Sequence, residues 1–148
     1  MLRMEKSVVI NRPVEEVFAA VEFDRWSQWA SELVETKKTS EGPPGVGTTY
    51  THVAQMLGRR LENGYEVTEY EPNSKISMKS TSGPIPVDSV LSVESVEGGT
   101  RFTMNFKADV GRVFKLAEPL IARIMDRQQD ANLANLKDLL EAGALDSA

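Results

Sequence analysis

Three features of the chain predict an α+β fold: a seven-stranded curved antiparallel sheet gripping one long C-terminal helix, with two short helices after the first strand. From Leu33 onward apolar and polar residues alternate with a period of two, and glycine- and proline-rich breaks fall at regular intervals. The connections at these breaks are long enough for hairpins and too short for parallel crossovers, so the sheet is expected to be antiparallel. After Ala108 the period changes. Leu120, Ile121, Ile124, Met125, Ala131, Leu136, Leu139 and Leu140 recur at mostly three- and four-residue steps, the mark of one amphipathic helix from about Pro119 to Glu141. A curved sheet closing around such a helix tends to leave a cavity between them, which points to small-molecule binding more than to any particular reaction.

The elements follow in order. A β-rich run from Glu5 to Ile10 makes the first strand, and Asn11-Arg12-Pro13 starts a helix, with proline where its missing N–H costs nothing. Glu15 and Glu16 suit the positive end of that helix, and Val14, Val17, Phe18 and Val21 keep the 3.6-residue period for about ten residues. Asp24 is placed to cap a second short helix that carries Trp26 and Trp29. Breaks at 42–47, 58–59, 71–73, 82–84 and 97–99 then cut out six strands, at about 33–40, 46–57, 60–70, 75–81, 87–96 and 100–108.

Alternation assigns faces to most of these strands. Leu61, Tyr65 and Val67 stand opposite Glu62, Glu66 and Thr68, while Phe102, Met104, Phe106 and Ala108 stand opposite Arg101, Thr103, Asn105 and Lys107. Ile76 with Met78, and Val87 with Leu91 and Val93, complete an apolar face. The 46–57 strand is ambiguous: Tyr50, His52, Ala54 and Met56 oppose Thr49, Thr51, Val53, Gln55 and Leu57, and either set suits a core. Tyr70 falls on the parity opposite to Tyr65 and is expected to face solvent. There is no internal repeat, and residues 142–148 read as a frayed tail.

Composition narrows the function classes. A chain of 148 residues fits a single domain, 1–148, and a domain of this size buries roughly 68–70% of its unfolded surface. Seventeen basic and 22 acidic residues are interspersed for a net charge of −5, which argues against nucleic acid or an anionic membrane as partner. With no cysteine there are no disulfides, thiolate chemistry or cysteine-ligated metal, and a single histidine makes a histidine-based metal centre unfavourable. No cofactor is therefore expected. The N-terminus lacks the apolar stretch of a secretory signal, and the patch from Leu120 to Met125 is interrupted by Arg123 and far shorter than the ~20 residues of a spanning helix. The expectation is a cytoplasmic protein without membrane insertion, monomeric or homodimeric.

A set of short segments carries a family resemblance. Val8-Val-Ile-Asn-Arg-Pro-Val-Glu-Glu-Val-Phe18, the aromatic pair in Trp26-Ser-Gln-Trp29, and the turns Pro44-Gly-Val-Gly-Thr48, Tyr70-Glu-Pro-Asn-Ser74 and Gly98-Gly-Thr-Arg-Phe102 occur in one order within one length. Leu116-Ala-Glu-Pro-Leu120 with Leu133-Ala-Asn-Leu-Lys-Asp-Leu139 completes the set. Together they resemble the helix-grip superfamily of START lipid-transfer domains and birch-pollen-allergen-like proteins (SRPBCC), and within it the bacterial polyketide cyclase/dehydrase group. The resemblance covers nearly the whole chain and implies the fold. It sets only a prior on activity, because that superfamily places lipid carriers, receptors, cyclases and co-chaperones on one frame. It also implies that the Arg59-Arg60 hairpin, residues 82–86 and residues 108–114 surround the mouth of the cavity, where a cation could meet an anionic ligand head.

Candidate site residues follow from face and chemistry. His52 is the one imidazole, suited to proton transfer near neutral pH if the Tyr50 face points inward and a surface residue if it does not. Tyr50 and Tyr65 combine a ring with a polar tip that can orient an apolar ligand, and Tyr65 shares the parity of Leu61 and Val67. Trp29 can stack on a ligand ring or, with Trp26, fasten the short helices to the sheet. Met78, Met104 and Met125 either fill the core or adapt to a ligand. Leu91 and Phe102 belong to the inward face, and Leu120, Ile121, Ile124 and Met125 form the part of the helix expected to touch a ligand. Asp88 and Arg101 fall outward and Asp109 at a strand end, so no pair of inward carboxylates emerges. Gly42–Gly47 lacks the lysine and following helix of a phosphate loop and reads as a turn.

The leading expectation is a domain that binds a hydrophobic or aromatic small molecule, lipid- or polyketide-like. A cofactor-independent polyketide cyclase or dehydratase with His52 or Tyr65 as proton donor is the alternative. A non-catalytic interaction module with a filled core is the third.

Overall fold

The computed structural model describes residues 2–112, 114 and 117–145. The order is β1 (Leu2–Ile10), α1 (Val14–Ala20), a 3-10 helix (Phe23–Gln28), β2 (Leu33–Lys38), β3 (Thr49–Met56), β4 (Arg59–Glu71), β5 (Lys75–Ser82), β6 (Val87–Val96), β7 (Gly99–Ala108), a 3-10 turn (Val110–Arg112) and α2 (Glu118–Glu141). All seven strands join one antiparallel sheet in the order β1-β7-β6-β5-β4-β3-β2. The α+β class and the expected sequence of elements are therefore present. The end of the expected tail, residues 146–148, Val113 of the expected cavity mouth and Leu116 of the segments that carried the resemblance lie outside the described residues.

Where boundaries differ from expectation, a partner accounts for the difference. β1 begins at Leu2 rather than Glu5 because β7 extends far enough to pair Leu2 with Ala108 and Met4 with Phe106. The second short helix is 3-10 rather than α: Arg25 N–H donates to Glu22 O at 3.0 Å and Trp29 N–H to Trp26 O at 3.1 Å. The tight coil brings both indoles back to the end of α1, where Trp26 Nε1 donates to Val21 O (2.9 Å) and Trp29 Nε1 to Ala20 O (3.1 Å).

Bulges bend the sheet and shift its parity. Val67 pairs with Met78 but Glu69 pairs with Ser77, which leaves Thr68 as an extra residue in β4. From that point the alternation reverses. Tyr70 is consequently turned inward instead of facing solvent; its ring meets Phe18 edge-on at 5.7 Å and its hydroxyl donates to Glu22 Oε1 at 2.5 Å. Burial holds the Glu22 carboxyl above the usual carboxylate range, an effect the Tyr70 hydrogen bond partly offsets and Asp24 adds to.

α2 lies over the concave face with Ile121, Gln129, Asn132, Leu133, Leu136 and Leu140 buried. Leu120, 53% exposed, and Ala131 are on the solvent side despite their place in the apolar period. Two sets of polar contacts fix the helix at its flanks. On the β1 flank, Lys6 Nζ sits 2.7 Å from Asp126 and 3.0 Å from Asp130, Lys137 Nζ donates to Val9 O at 2.8 Å, and Glu141 accepts from Asn11 N–H at 2.8 Å. On the other flank, just before β2, Asn132 accepts from Ser31 N–H (3.1 Å) and donates to Glu32 (2.7 Å), Gln129 donates to Glu32 (3.3 Å), and Asn135 donates to Trp29 O (3.2 Å).

The two flanks differ in energetic weight. Asn132 is 2% exposed, so Asn132→Ala takes a buried partner from the Ser31 N–H and from the Glu32 carboxylate and is expected to cost about 2–3 kcal/mol in urea unfolding. Asp126→Ala, at an exposed ion pair, is expected to cost less than about 1 kcal/mol, and less still at high salt.

Candidate functional site

The register of β3 and β4 builds one wall of a cavity. Tyr50 stands opposite Tyr65, His52 opposite Asn63, and Ala54 opposite Leu61, so all six share the face toward α2. This resolves the ambiguous strand: Tyr50, His52, Ala54 and Met56 point inward. β5, β6 and β7 contribute Met78, Ser89, Met104 and Phe106, the loop after β5 contributes Ile85, and α2 contributes Met125, Gln128 and Gln129. Phe23 and Trp26 close the end nearest the 3-10 helix. The cavity volume is about 140 Å³.

Most of the lining is apolar, and its polar members are held in defined states. His52 lies in an aromatic box, its ring 4.8 Å from Phe23, 5.4 Å from Tyr65 and 6.3 Å from Trp26. Burial alone lowers its pKa to about 4, so the ring is neutral at physiological pH, and its buried Nε2 has no hydrogen-bond partner among the described residues. Tyr65 is pushed up to about 12, chiefly by burial, against a hydrogen bond from Asn63 that acts the other way. Its hydroxyl therefore keeps its proton. The Asn63 amide nitrogen donates both to Tyr65 Oη at 3.1 Å and to Ile85 O at 2.7 Å, which orients the tyrosine and ties down the loop after β5. Gly83 in that loop makes this possible: at φ +111° a Cβ there would lie 2.0 Å from Asn63 Oδ1 and 2.6 Å from Glu62 O.

Chemically the arrangement supplies a hydrophobic chamber with a protonated phenol and a neutral imidazole side by side at one end. Among the described residues no group of three or more metal-binding side chains comes together, and no helix is long and apolar enough to cross a membrane.

A sequence model of the family described as polyketide cyclase / dehydrase and lipid transport matches residues 1–141. The chain belongs to this family. No curated protein sequence matches it significantly. Among solved structures, a protein of Thermus thermophilus superposes with a TM-score of 0.76 at 18% identity, covering 97% of this chain and 99% of its own. The Zhui aromatase/cyclase of a Streptomyces species gives a TM-score of 0.74 at 12% identity, covering 99% and 97%. Ara h 8.0201 gives 0.66 at 12% identity, covering 95% and 97%. At these identities the likeness is one of fold, and it places this family member on the helix-grip frame.

The residues expected at the site fall into three groups. His52, Tyr65, Met78, Met104 and Met125 come together around the cavity. Trp29, Tyr50, Leu91, Phe102 and Ile121 are each 2% exposed or less and lie in the core behind the lining. Trp26 takes the lining position instead of Trp29, whose ring packs in the core nearly perpendicular to Phe102 at 6.3 Å. Ile124 is half-buried outside the lining, and Leu120 faces solvent. Near the expected mouth, the Arg59 guanidinium lies 5.8 Å over the Phe114 ring.

Several lining residues were missed, and most had a signal. Asn63 and Ser89 sit on the inward parity of Leu61–Tyr65 and Val87–Leu91 as polar interruptions of an apolar face. Gln128 and Gln129 follow Met125 at helical spacing, where the apolar period of α2 breaks. Glu32 had none, since it precedes its strand and reaches the cavity through its bonds to α2.

Two outcomes follow. His52 binds its proton less tightly folded than unfolded, from an ordinary 6.5, so its contribution to stability is complete above about pH 6.5 and is lost as pH falls toward 4. Across that interval the protein should lose up to about 3 kcal/mol more stability than a His52→Phe variant, read by urea unfolding at each pH. Gly83→Ala should destabilise by at least about 1 kcal/mol through its positive φ and its collision with Asn63.

Proposed function

We propose that this protein binds a hydrophobic or aromatic small molecule in the cavity between its sheet and α2. The observation that carries this reading is the apolar space itself. A chain of this size, free to pack Leu and Phe against one another, normally leaves no void larger than a water. Here four methionine side chains, of Met56, Met78, Met104 and Met125, border an apolar space instead. Membership in a family described by both cyclase and lipid-transport activity supports ligand binding in general. The cavity also weighs against a filled-core interaction module.

The test is thermal denaturation against a panel of fatty acids, sterols and aromatic compounds, with an Ala54→Phe variant that fills the cavity as control. At least one class should raise the melting temperature of the parent and leave the variant unmoved, and a ligand present at 100 times its Kd contributes about 2.7 kcal/mol. A panel that stabilises neither protein, or both alike, defeats the reading.

A second reading, cofactor-independent ring closure or dehydration of a polyketide-like chain, is favoured by one pairing. A neutral His52 and a protonated Tyr65 face each other at 5.4 Å between ring centres, a base and an acid in opposite states at one pH. Catalysis by proton transfer at His52 predicts a loss of about 10²–10⁴-fold in turnover for His52→Ala. Undiminished turnover removes His52 from the reaction.

A further inference from the structure

Resting on the binding reading above, we propose that the cavity's ligand is an uncharged, single-ring aromatic bearing a hydroxyl, seated with that hydroxyl at the His52–Tyr65 end. Three independent observations converge on this class.

Size sets the first limit. An apolar cavity of about 150 Å³ is known to hold one benzene, whereas pockets for drug-sized ligands span about 300–1,000 Å³. The 140 Å³ here matches a single ring with a small substituent. A sterol or a folded long acyl chain exceeds this volume and would leave part of its apolar surface exposed.

Charge sets the second. Among the described residues no lysine or arginine lines the cavity, and the carboxylate that does, Glu32, is engaged by Gln129 and Asn132. A carboxylate ligand would enter without a counter-ion and beside a like charge, losing its hydration for nothing. An uncharged ligand avoids that penalty.

Unused hydrogen-bonding capacity sets the third. The Tyr65 oxygen already accepts from Asn63, so its remaining function is to donate, and no acceptor among the described residues takes its proton. A hydroxyl on the ligand can accept that proton, which a bare hydrocarbon ring cannot. The Asn63 amide holds Tyr65 in place and is a positioning residue, since its own Oδ1 is turned toward Gly83.

Isothermal titration of the full chain at pH 7.5 with p-cresol, toluene, benzoate and palmitate tests the assignment. p-Cresol should bind about tenfold or more tighter than toluene, as expected for one to two net hydrogen bonds, and tighter than benzoate by at least as much. Tyr65→Phe should bring p-cresol to the level of toluene and leave toluene itself unchanged, a pattern that a merely destabilised fold would not produce. Ala54→Phe should abolish binding of both rings. Equal binding of p-cresol and toluene, preference for benzoate, or no effect of Tyr65→Phe on the cresol-to-toluene ratio overturns the inference. Binding of palmitate alone overturns it while leaving the broader binding reading intact, whereas failure of all four probes and of the wider panel ends both.

Discussion

The position of α2 across the concave face of the sheet is the constraint on which the other features depend. β1 and β2 are the two edges of a seven-stranded sheet, and the helix is bonded on one side to β1 and on the other to the segment entering β2. That span lets an open sheet behave as a half-barrel without closing on itself. It also covers the apolar side chains of β3 to β7, which would otherwise form an exposed patch. Because the helix is held at its flanks, its middle does not have to collapse onto the sheet, and the cavity is what remains.

The polar interruption of α2 is central to this balance. Between Met125 and Leu133 the inward positions carry Gln128, Gln129 and Asn132 in place of leucine or isoleucine. Buried amides are stabilising only when paired, and Asn132 and Gln129 find their partners in Ser31 and Glu32 rather than on the sheet. The apolar contact of α2 with the core therefore lies toward its ends, through Ile121 and through Leu133, Leu136 and Leu140, while Met125, Gln128 and Gln129 between them line the cavity. Hydrophobic burial and cavity formation are thus divided along one helix.

A comparable division runs through the aromatic residues. Trp29, Tyr50 and Phe102 are buried as structural mass, whereas Phe23, Trp26, His52 and Tyr65 make edge contacts around an open space. Desolvation is what gives that box its chemistry: with no charged group contributing, burial keeps the imidazole neutral and, outweighing the Asn63 hydrogen bond, the phenol protonated. Had a carboxylate lain beside His52, the ring would carry charge and the chamber would suit a different class of ligand.

Periodicity alone determined the class, the seven strands, their antiparallel hairpins and the long helix, because alternation and turn chemistry are local properties of adjacent residues. The inward faces of β4, β6 and β7 were legible on the same ground, and so was the placement of Tyr65, Met78 and Met104. Only the tertiary structure decided the rest. Which face of β3 turns inward depends on its pairing with β4, where Tyr50 opposes Tyr65, and both faces of β3 are equally credible without that partner. Tyr70 turns inward because one extra residue at Thr68 reverses the parity, a bulge set by the match of two strands rather than by either one. Leu120 faces solvent although it belongs to the apolar period, because the rotation of α2 is fixed by Asn132 and Lys6 and their partners far away in the chain. Residue spacing defines what an element can bury; the contacts between elements define what it does bury, and the site lies where those two differ.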